Sequence, residues 1–438
     1  MVMLTSCHTT GMFSRRPAIV PDVRPVEQTV TNPVVPVPQE TTVTKQSLTW
    51  QDQLRTSLYQ LTGDSLMNRS QLGLCVFDLS DNQWIYRYNA DQRMRPASCE
   101  KVVTAVSALH YLGGQYQLRT KVCVTGQVTK DGALNGNVYV VGGMDPMLSS
   151  GDVRQMARAL QQMGVKRIDG KLYVDLSMKD SDPLGWGWCW DDKYGPLTAL
   201  SVDGKDNFAD EWLKALKDCK ITVPASARTQ ADRKRISGVL QMPVAGQLEQ
   251  AACPSSAQVV LEVTHGIDQL LMKMMKDSEN IYAESLFYQI AAHSGVKNAG
   301  RKQASGLINA LIDGLGLQSS DYQIADGSGL SLYNYVSPTL LCTLLQYAWQ
   351  RPEIRSVLLP TLPVCGQDGT LKNRMKDDSP AYGRVQAKTG TVDGISSLSG
   401  YVSGANGHVY CFSIINQGVI KGSEGRAFQD RVCEVLCR

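Results

Sequence analysis

The sequence predicts a mixed α/β (α+β) fold: one discontinuous domain of helices and strands, interrupted by a β-rich insertion. Three observations carry this prediction. An alternating stretch near residue 75 reads as a hairpin and is followed at once by an apolar helix. Between about Thr120 and Pro254 the texture turns to short strand-like pieces separated by Gly, Asp and Asn. After about Val259 helical periodicity returns, and the chain ends in strands and one closing helix. The terminal strands then complete a sheet begun by the early hairpin.

Each element has a local reason. Residues 1–45 hold six prolines between Pro17 and Pro38 among Val, Thr, Gln and Glu. Such a segment cannot bury a core and reads as an extended, disordered spacer. LGLCVFDLSDNQWIYRYN reads as strand, turn at Ser80-Asp81-Asn82, strand. Pro96 precedes a helix from Ser98 to about Leu112, with Val102, Ala105, Val106 and Leu109 at helical spacing. Its apolar character on most sides predicts a buried helix. TKVCVTGQVT, GNVYVVGG and GKLYVDLS are strand-like, and Trp186, Trp188 and Trp190 alternate as on one strand face. We read those indoles as a core or interface cluster before a sugar platform. Ile267, Leu270, Leu271, Met274 and Met275 form one helical stripe. IYAESLFYQIAAH forms the next helix, and Ser337-Pro338 cap another. RVQAKTGTVDG, ISSLSGYVSG and HVYCFSIINQG read as closing strands, before a helix from about Gly425 to Cys437. The predicted division is residues 46–118 plus 259–438 for the discontinuous domain and 119–258 for the insertion.

Composition bounds the function. The 438 residues suffice for a large core. A net charge of +3, from 44 basic and 41 acidic side chains, gives no footprint for nucleic acid. The five histidines are scattered without metal-ligand spacing, and we expect neither a metal nor a cofactor. Neither GxxxxGK[ST] nor GxGxxG occurs, which disfavours a nucleotide enzyme. No stretch reaches the roughly 18 apolar residues of a membrane span. The twelve cysteines include no CxxC, and Cys433 and Cys437 lie four apart on the closing helix.

The chemistry is in three short segments. In RPASCEKVVTA, Ser98 and Lys101 share a helix face. A hydroxyl is a poor nucleophile until a base takes its proton. A lysine can be that base when burial lowers its pKa, because desolvation disfavours the ammonium. In KDSENIYAES, Ser278 and Asn280 lie between two helices, where a loop aims side chains into a cleft; simple N-capping is the plainer reading. In QAKTGTVDG, Lys388, Thr389, Gly390 and Thr391 end a strand, and a Gly turn is the plainer reading there. Singly, each segment is common. Together and in this order they form the Ser-x-x-Lys, Ser-x-Asn, Lys-Thr-Gly set.

With these residues in hand, the chain resembles the D-alanyl-D-alanine carboxypeptidase/endopeptidase family, the class C low-molecular-mass penicillin-binding proteins. GGMDPML, WCWDDKYGPLTALSVD, DGSGLSLYN and LPVCGQDGTLKNR also resemble family segments, with Met144 inserted and Asp203 where Asn is expected. The resemblance runs from about Gln46 to the C-terminus. It implies a penicillin-binding-protein/serine β-lactamase-like transpeptidase fold, an antiparallel sheet flanked by helices, with an inserted β-rich domain whose nested subdomain is reduced. It implies Ser98 as nucleophile, Lys101 as its base and Ser278 as proton relay. Asn280, Lys388, Thr389, Gly390 and Thr391 would bind substrate. The backbone N–H groups of Ser98 and Thr391 would form the oxyanion hole. The implied partners are peptidoglycan stem peptides and β-lactam antibiotics as covalent inhibitors. Hydrolysis of D-Ala-D-Ala ends or of cross-links both fit.

The first residues, MVMLTSC, resemble the end of a bacterial lipoprotein signal, which makes Cys7 a candidate lipid-anchor site and the periplasm or cell envelope the expected location. Cys99 and Cys365 read as packing residues. Asp326 and Ser328 read as a turn scaffold before a cleft lining. Two other functional readings stand: a Ser–Lys β-lactamase or esterase of the same fold, and a non-catalytic cell-wall-binding scaffold.

Overall fold

The computed structural model describes residues 49–189, 191–192, 196–224, 235–236, 239–240 and 248–438. Cys7, the proline-rich spacer and Trp190 lie outside the described residues. From the N-terminal side come helix α1 (Trp50–Thr62) and the hairpin strands β1 (Gln71–Asp78) and β2 (Gln83–Tyr88). A single 3-10 turn, Ala97–Cys99, leads into α2 (Glu100–Leu112). Ser98 therefore sits in the tighter turn ahead of the α-helix, not inside it as the periodicity predicts. Helix α2 is buried from Glu100 to Leu109 and stops at Gly113, whose φ of +79° suits a residue without a Cβ.

The middle segment holds β3 (Gln117–Val124), β4 (Gln127–Val128), β5 (Ala133–Asn135), β6 (Val138–Val141), α3 (Ser150–Gln162), β7 (Arg167–Ile168), β8 (Leu172–Asp175), α4 (Phe208–Asp218), β9 (Arg235–Ile236), β10 (Val239–Leu240), β11 (Glu249–Gln250) and β12 (Gln258–Gly266). Its main sheet has the order β11-β8-β6-β3-β12, with parallel pairs at β11–β8 and β8–β6. Strands alone do not describe it. Helices α3 and α4 pack on this sheet through Val153, Met156, Leu160, Phe208 and Trp212. The sheet closes on β12, which runs to Gly266, past the boundary at 258 that the composition marks.

Then follow α5 (Ile267–Lys276), α6 (Asn280–His293), α7 (Arg301–Gly314), α8 (Pro338–Trp349), α9 (Pro352–Leu358), β13 (Val385–Val392), β14 (Gly394–Ser403), β15 (Val409–Val419) and α10 (Gly422–Leu436). Ser337 caps α8: its hydroxyl accepts from Leu340 N–H, with Pro338 in the first turn. The last three strands join the early hairpin in one antiparallel sheet, β13-β14-β15-β1-β2.

This sheet is buried on both faces. Along β1 and β15, Cys75, Phe77, Cys411 and Ile415 face the core under α2, α5, α6 and α8, while Leu74, Val76, Phe412 and Ile414 face α1 and α10. The period of two makes three layers from one sheet. Each fully buried Leu, Ile, Val or Phe contributes roughly 1.5–3 kcal/mol. The Cys75 and Cys342 sulfurs meet at 2.8 Å inside the core.

Among the described residues of the tryptophan stretch no strand forms. Trp188 is half-buried and donates from Nε1 to Asp326 Oδ2 at 2.9 Å. Trp186 packs on Tyr333, with the Arg301 guanidinium 4.3 Å from its ring centre. The alternation reflects a turn around Gly187, where φ is +81° and a Cβ would meet Tyr333 and Ser331 within 2.6 Å. Cys99, Cys365, Cys433 and Cys437 are all buried, and burial pushes their thiols up, Cys437 to about 12. They are packing groups rather than reactive ones.

Candidate active site

The three segments meet. Lys101 is fully buried, and its Nζ lies 3.0 Å from Ser98 Oγ, 2.6 Å from Asn280 Oδ1 and 2.8 Å from the Ser328 carbonyl. A neutral amine can satisfy both oxygens with its two hydrogens and turn its lone pair to the Ser98 hydroxyl. Burial, with the Lys388 cation as second cause, lowers the Lys101 pKa to about 7. An amine with that pKa can accept a proton near neutrality.

Lys388 is likewise buried, with its Nζ 2.9 Å from Ser278 Oγ and 2.7 Å from the Thr389 carbonyl. Burial lowers its pKa to about 8. The site thus contains two serine–lysine pairs. Ser278 is not the N-cap of α6. That position is Glu279, which makes no side-chain cap bond. Ser278 instead has φ +63°, a left-handed conformation that costs a side-chain-bearing residue about 1 kcal/mol or more. In this conformation its hydroxyl lies within hydrogen-bond distance of Lys388 Nζ.

Lys388, Thr389, Gly390 and Thr391 fill the C-terminal half of a strand that ends one residue later, at Val392. They lie within β13, the edge strand, where Thr391 pairs with Ser396 of β14. The strand lies against the nucleophile turn: Cys99 Sγ is 3.2 Å from the Lys388 carbonyl, and Ser397 Oγ donates to the Pro96 carbonyl at 2.6 Å. A Cβ on Gly390 would stand 2.7 Å from Pro96 O and 3.0 Å from Cys99 N. Only glycine permits this approach.

A cavity of about 330 Å³ opens between these elements, lined by Ser98, Ser278, Thr370, Arg374, Thr389, Thr391 and Arg426. Sequence reasoning assigned no role to Thr370, Arg374 or Arg426. The first two lie in LPVCGQDGTLKNR, a segment that resembles the family as a whole, and nothing local singles out Arg426 on α10. Thr389 Oγ1 donates to Thr370 Oγ1 at 2.8 Å.

The DGSGLS loop is the scaffold predicted for it, with an added role. Asp326 accepts from Gly329 N–H, Ser331 N–H, Asn334 Nδ2 and Trp188 Nε1 at 2.7–2.9 Å. This turn presents the Ser328 carbonyl to Lys101. Behind it lie two further buried carboxyls. Burial and the neighbouring Asp326 raise Glu284 to about 8, and the same causes raise Glu100 well above its usual range. Glu284 Oε2 accepts from Gly327 N–H at 3.2 Å.

A serine placed beside a buried, deprotonatable lysine, under helices that cover a five-stranded antiparallel sheet, is the arrangement of the penicillin-binding-protein and serine β-lactamase class. Within that class the chain belongs to the D-Ala-D-Ala carboxypeptidase 3 (S13) family, whose pattern matches residues 54–205 and 222–438. It is 28% identical over 408 residues to the D-alanyl-D-alanine carboxypeptidase DacB of Haemophilus influenzae, covering 78% of this chain and 84% of that protein. It is also 28% identical over 459 residues to the D-alanyl-D-alanine carboxypeptidase of an Actinomadura species, covering 87% and 84%. The crystal structure of penicillin binding protein 4 from H. influenzae superposes with a TM-score of 0.73 at 23% identity, over 86% of this chain and 97% of that one. A predatory peptidoglycan endopeptidase of Bdellovibrio bacteriovorus superposes with a TM-score of 0.53 at 19% identity, over 84% and 92%.

Proposed function

We propose that the chain hydrolyses the terminal D-Ala-D-Ala bond of peptidoglycan stem peptides through an ester on Ser98, and that penicillin acylates the same oxygen. The single observation that carries this is the 3.0 Å approach of the Lys101 amine to Ser98. Ser98 Oγ attacks the carbonyl carbon of the penultimate D-Ala as its proton passes to Lys101 Nζ. The C–N bond breaks, and the leaving amine takes a proton through Ser278, which Lys388 supports. Water then cleaves the ester and restores Ser98. Asn280 orients Lys101 and the acyl amide. Backbone N–H groups of Ser98 and Thr391 hold the oxyanion; losing such a donor typically costs about 10²–10³ in rate. Thr389 contacts the substrate carboxylate, and Gly390 allows β13 to lie close enough for it to do so.

The same site accepts a cross-linked peptide when the leaving amine belongs to a D-centre of a diamino acid, which is D,D-endopeptidase action. Substrate and family support a location in the bacterial cell envelope, with Cys7 as the lipid-anchor candidate. In this reading residues 1–45 form the tether, and the second sheet and its helices form the inserted domain. Among the described residues no helix is long and apolar enough to cross a membrane.

The test is D-Ala release from an acylated tripeptide ending in D-Ala-D-Ala, alongside chromatography of cross-linked muropeptides. The wild type should release D-Ala, and Ser98→Ala should release none. Cleavage of the muropeptide cross-link would establish the endopeptidase arm. An active Ser98→Ala protein would refute the assignment.

A further inference from the structure

The cavity at Ser98 carries a cation that the acyl-transfer steps do not use. Two arginines line it and, among the described residues, no carboxylate does. Arg374 is committed elsewhere. Its Nε and Nη2 donate to Asp430 Oδ1 at 2.9 and 2.7 Å, and Nη2 also lies 3.1 Å from the Arg426 carbonyl. These bonds pin the first turns of α10. Arg426 stands one turn before Asp430 and is half-buried. No ion pair or side-chain hydrogen bond holds its guanidinium among the described residues. A Cβ built on Gly422 would meet Arg426 Nη1 at 3.2 Å and Thr391 Cγ2 at 3.9 Å, so the guanidinium and Thr391 flank one narrow gap.

Resting on the assignment of Ser98 as nucleophile, we propose that Arg426 is the specificity-determining cation for the free α-carboxylate at the substrate's C-terminus. The leaving residue is one amino acid long. Its carboxyl carbon lies only ~2.5 Å beyond the scissile nitrogen, so the carboxylate must enter the same cavity as the attacked carbonyl. Lys388 already faces Ser278 and the Thr389 carbonyl. Arg426 is a permanent charge with a planar fork that matches a carboxylate in two parallel hydrogen bonds. Arg374, by clamping α10, positions it.

The experiment compares wild type, Arg426→Ala and Arg426→Lys on Nα,Nε-diacetyl-L-Lys-D-Ala-D-Ala and on the same peptide with a C-terminal amide. Each peptide is also measured as a competitor of Ser98 acylation by a fluorescent penicillin, so a peptide that is bound but not cleaved still gives a constant. The wild type should prefer the acid. Arg426→Ala should lower kcat/KM for the acid by about 10–100-fold, mainly through KM, and collapse the acid-over-amide preference. Arg426→Lys should restore part of that preference. An equal loss on acid and amide would mean a structural role and overturn the proposal, as would an unchanged constant for the acid. The two readings fail separately: Ser98→Ala retaining hydrolysis defeats the nucleophile, whereas an acid-over-amide ratio indifferent to residue 426 defeats only this inference.

Discussion

Lys388 Nζ lies 2.9 Å from Ser278 Oγ, so the lysine of the third motif contacts the serine of the second, as Lys101 contacts Ser98. The two lysines therefore have separable tasks. Lys101→Ala should lower penicillin acylation at pH 7 by about 10³-fold or more, within the usual range for losing a general base and its orientation. Lys101→Arg should be as inactive, because a guanidinium cannot shed its proton. Lys388→Ala should lower D-Ala release by about 10²-fold while Ser98 still labels slowly. Stopped-flow acylation and D-Ala release on the same preparations separate the two.

The pH profile follows from the two lowered pKa values. Lys101 must be neutral to accept the Ser98 proton, so acylation should rise through about pH 7. Lys388 keeps its ammonium up to about pH 8, so the rate should fall above that value. Because the Lys388 cation lowers Lys101, the two limbs are coupled. The acylation rate constant measured from pH 5 to 10 should trace a bell with its maximum between about 7 and 8. A rate still climbing at pH 10 would show that Lys101 is not the base.

Gly390→Ala tests the contact between β13 and the nucleophile turn. Its Cβ would press on the Pro96 carbonyl and the Cys99 amide, both backbone atoms that cannot rotate away. Relief requires the strand and the turn to part. We expect a stability loss of about 1–3 kcal/mol by denaturant titration, typical of overpacking. Acylation should fall by more than that loss explains, since Ser98 and Thr391 separate.

Glu284 predicts a signature in stability. Its folded pKa is raised to about 8 from the ordinary 4.5, first by burial and then by Asp326. Between those values the folded chain keeps a proton that the unfolded chain has released. The stability this group contributes is therefore greatest below about pH 4.5 and is lost as pH rises through about 8. The groups facing it are Asp326, Glu100 and Lys101, with Ser328 and the Gly327 amide. Glu284→Gln keeps an oxygen for Gly327 N–H and removes the titration. The melting temperature of the variant minus that of the wild type should increase from pH 5 to pH 9. A flat difference would mean that Glu284 is ionised in the fold.

Much of this architecture is legible in the chain, because its elements announce themselves locally. The hairpin at 71–88, the buried helix after Pro96 and the capped helix at Ser337 each follow from patterns a few residues long. The closing strands are equally readable, and their pairing with the hairpin follows from the need to bury both faces. What escaped has non-local causes. The left-handed backbone at Ala97 and Ser278 is imposed by tertiary contacts, not by residue type. Helix α3 carries Val153, Met156, Ala157 and Leu160 at helical spacing, a signal masked by the strand-rich texture around it. The tryptophan alternation looks like a strand and is a turn, because Gly187 bends the chain so that Trp188 can reach Asp326. Arg426 has no motif at all: its place beside Ser98 is set by α10 packing on the sheet.

The central claim is that one oxygen, that of Ser98, carries the acyl group. Intact-mass measurement after benzylpenicillin, followed by peptide mapping, tests it most directly. The wild type should gain a single adduct of one penicillin, on the peptide that contains Ser98, and Ser98→Ala should gain none. Among the described residues no carboxylate lines the cavity to activate water, so the adduct should persist for minutes or longer. An adduct on any other residue, or none on a folded wild type, would contradict the account.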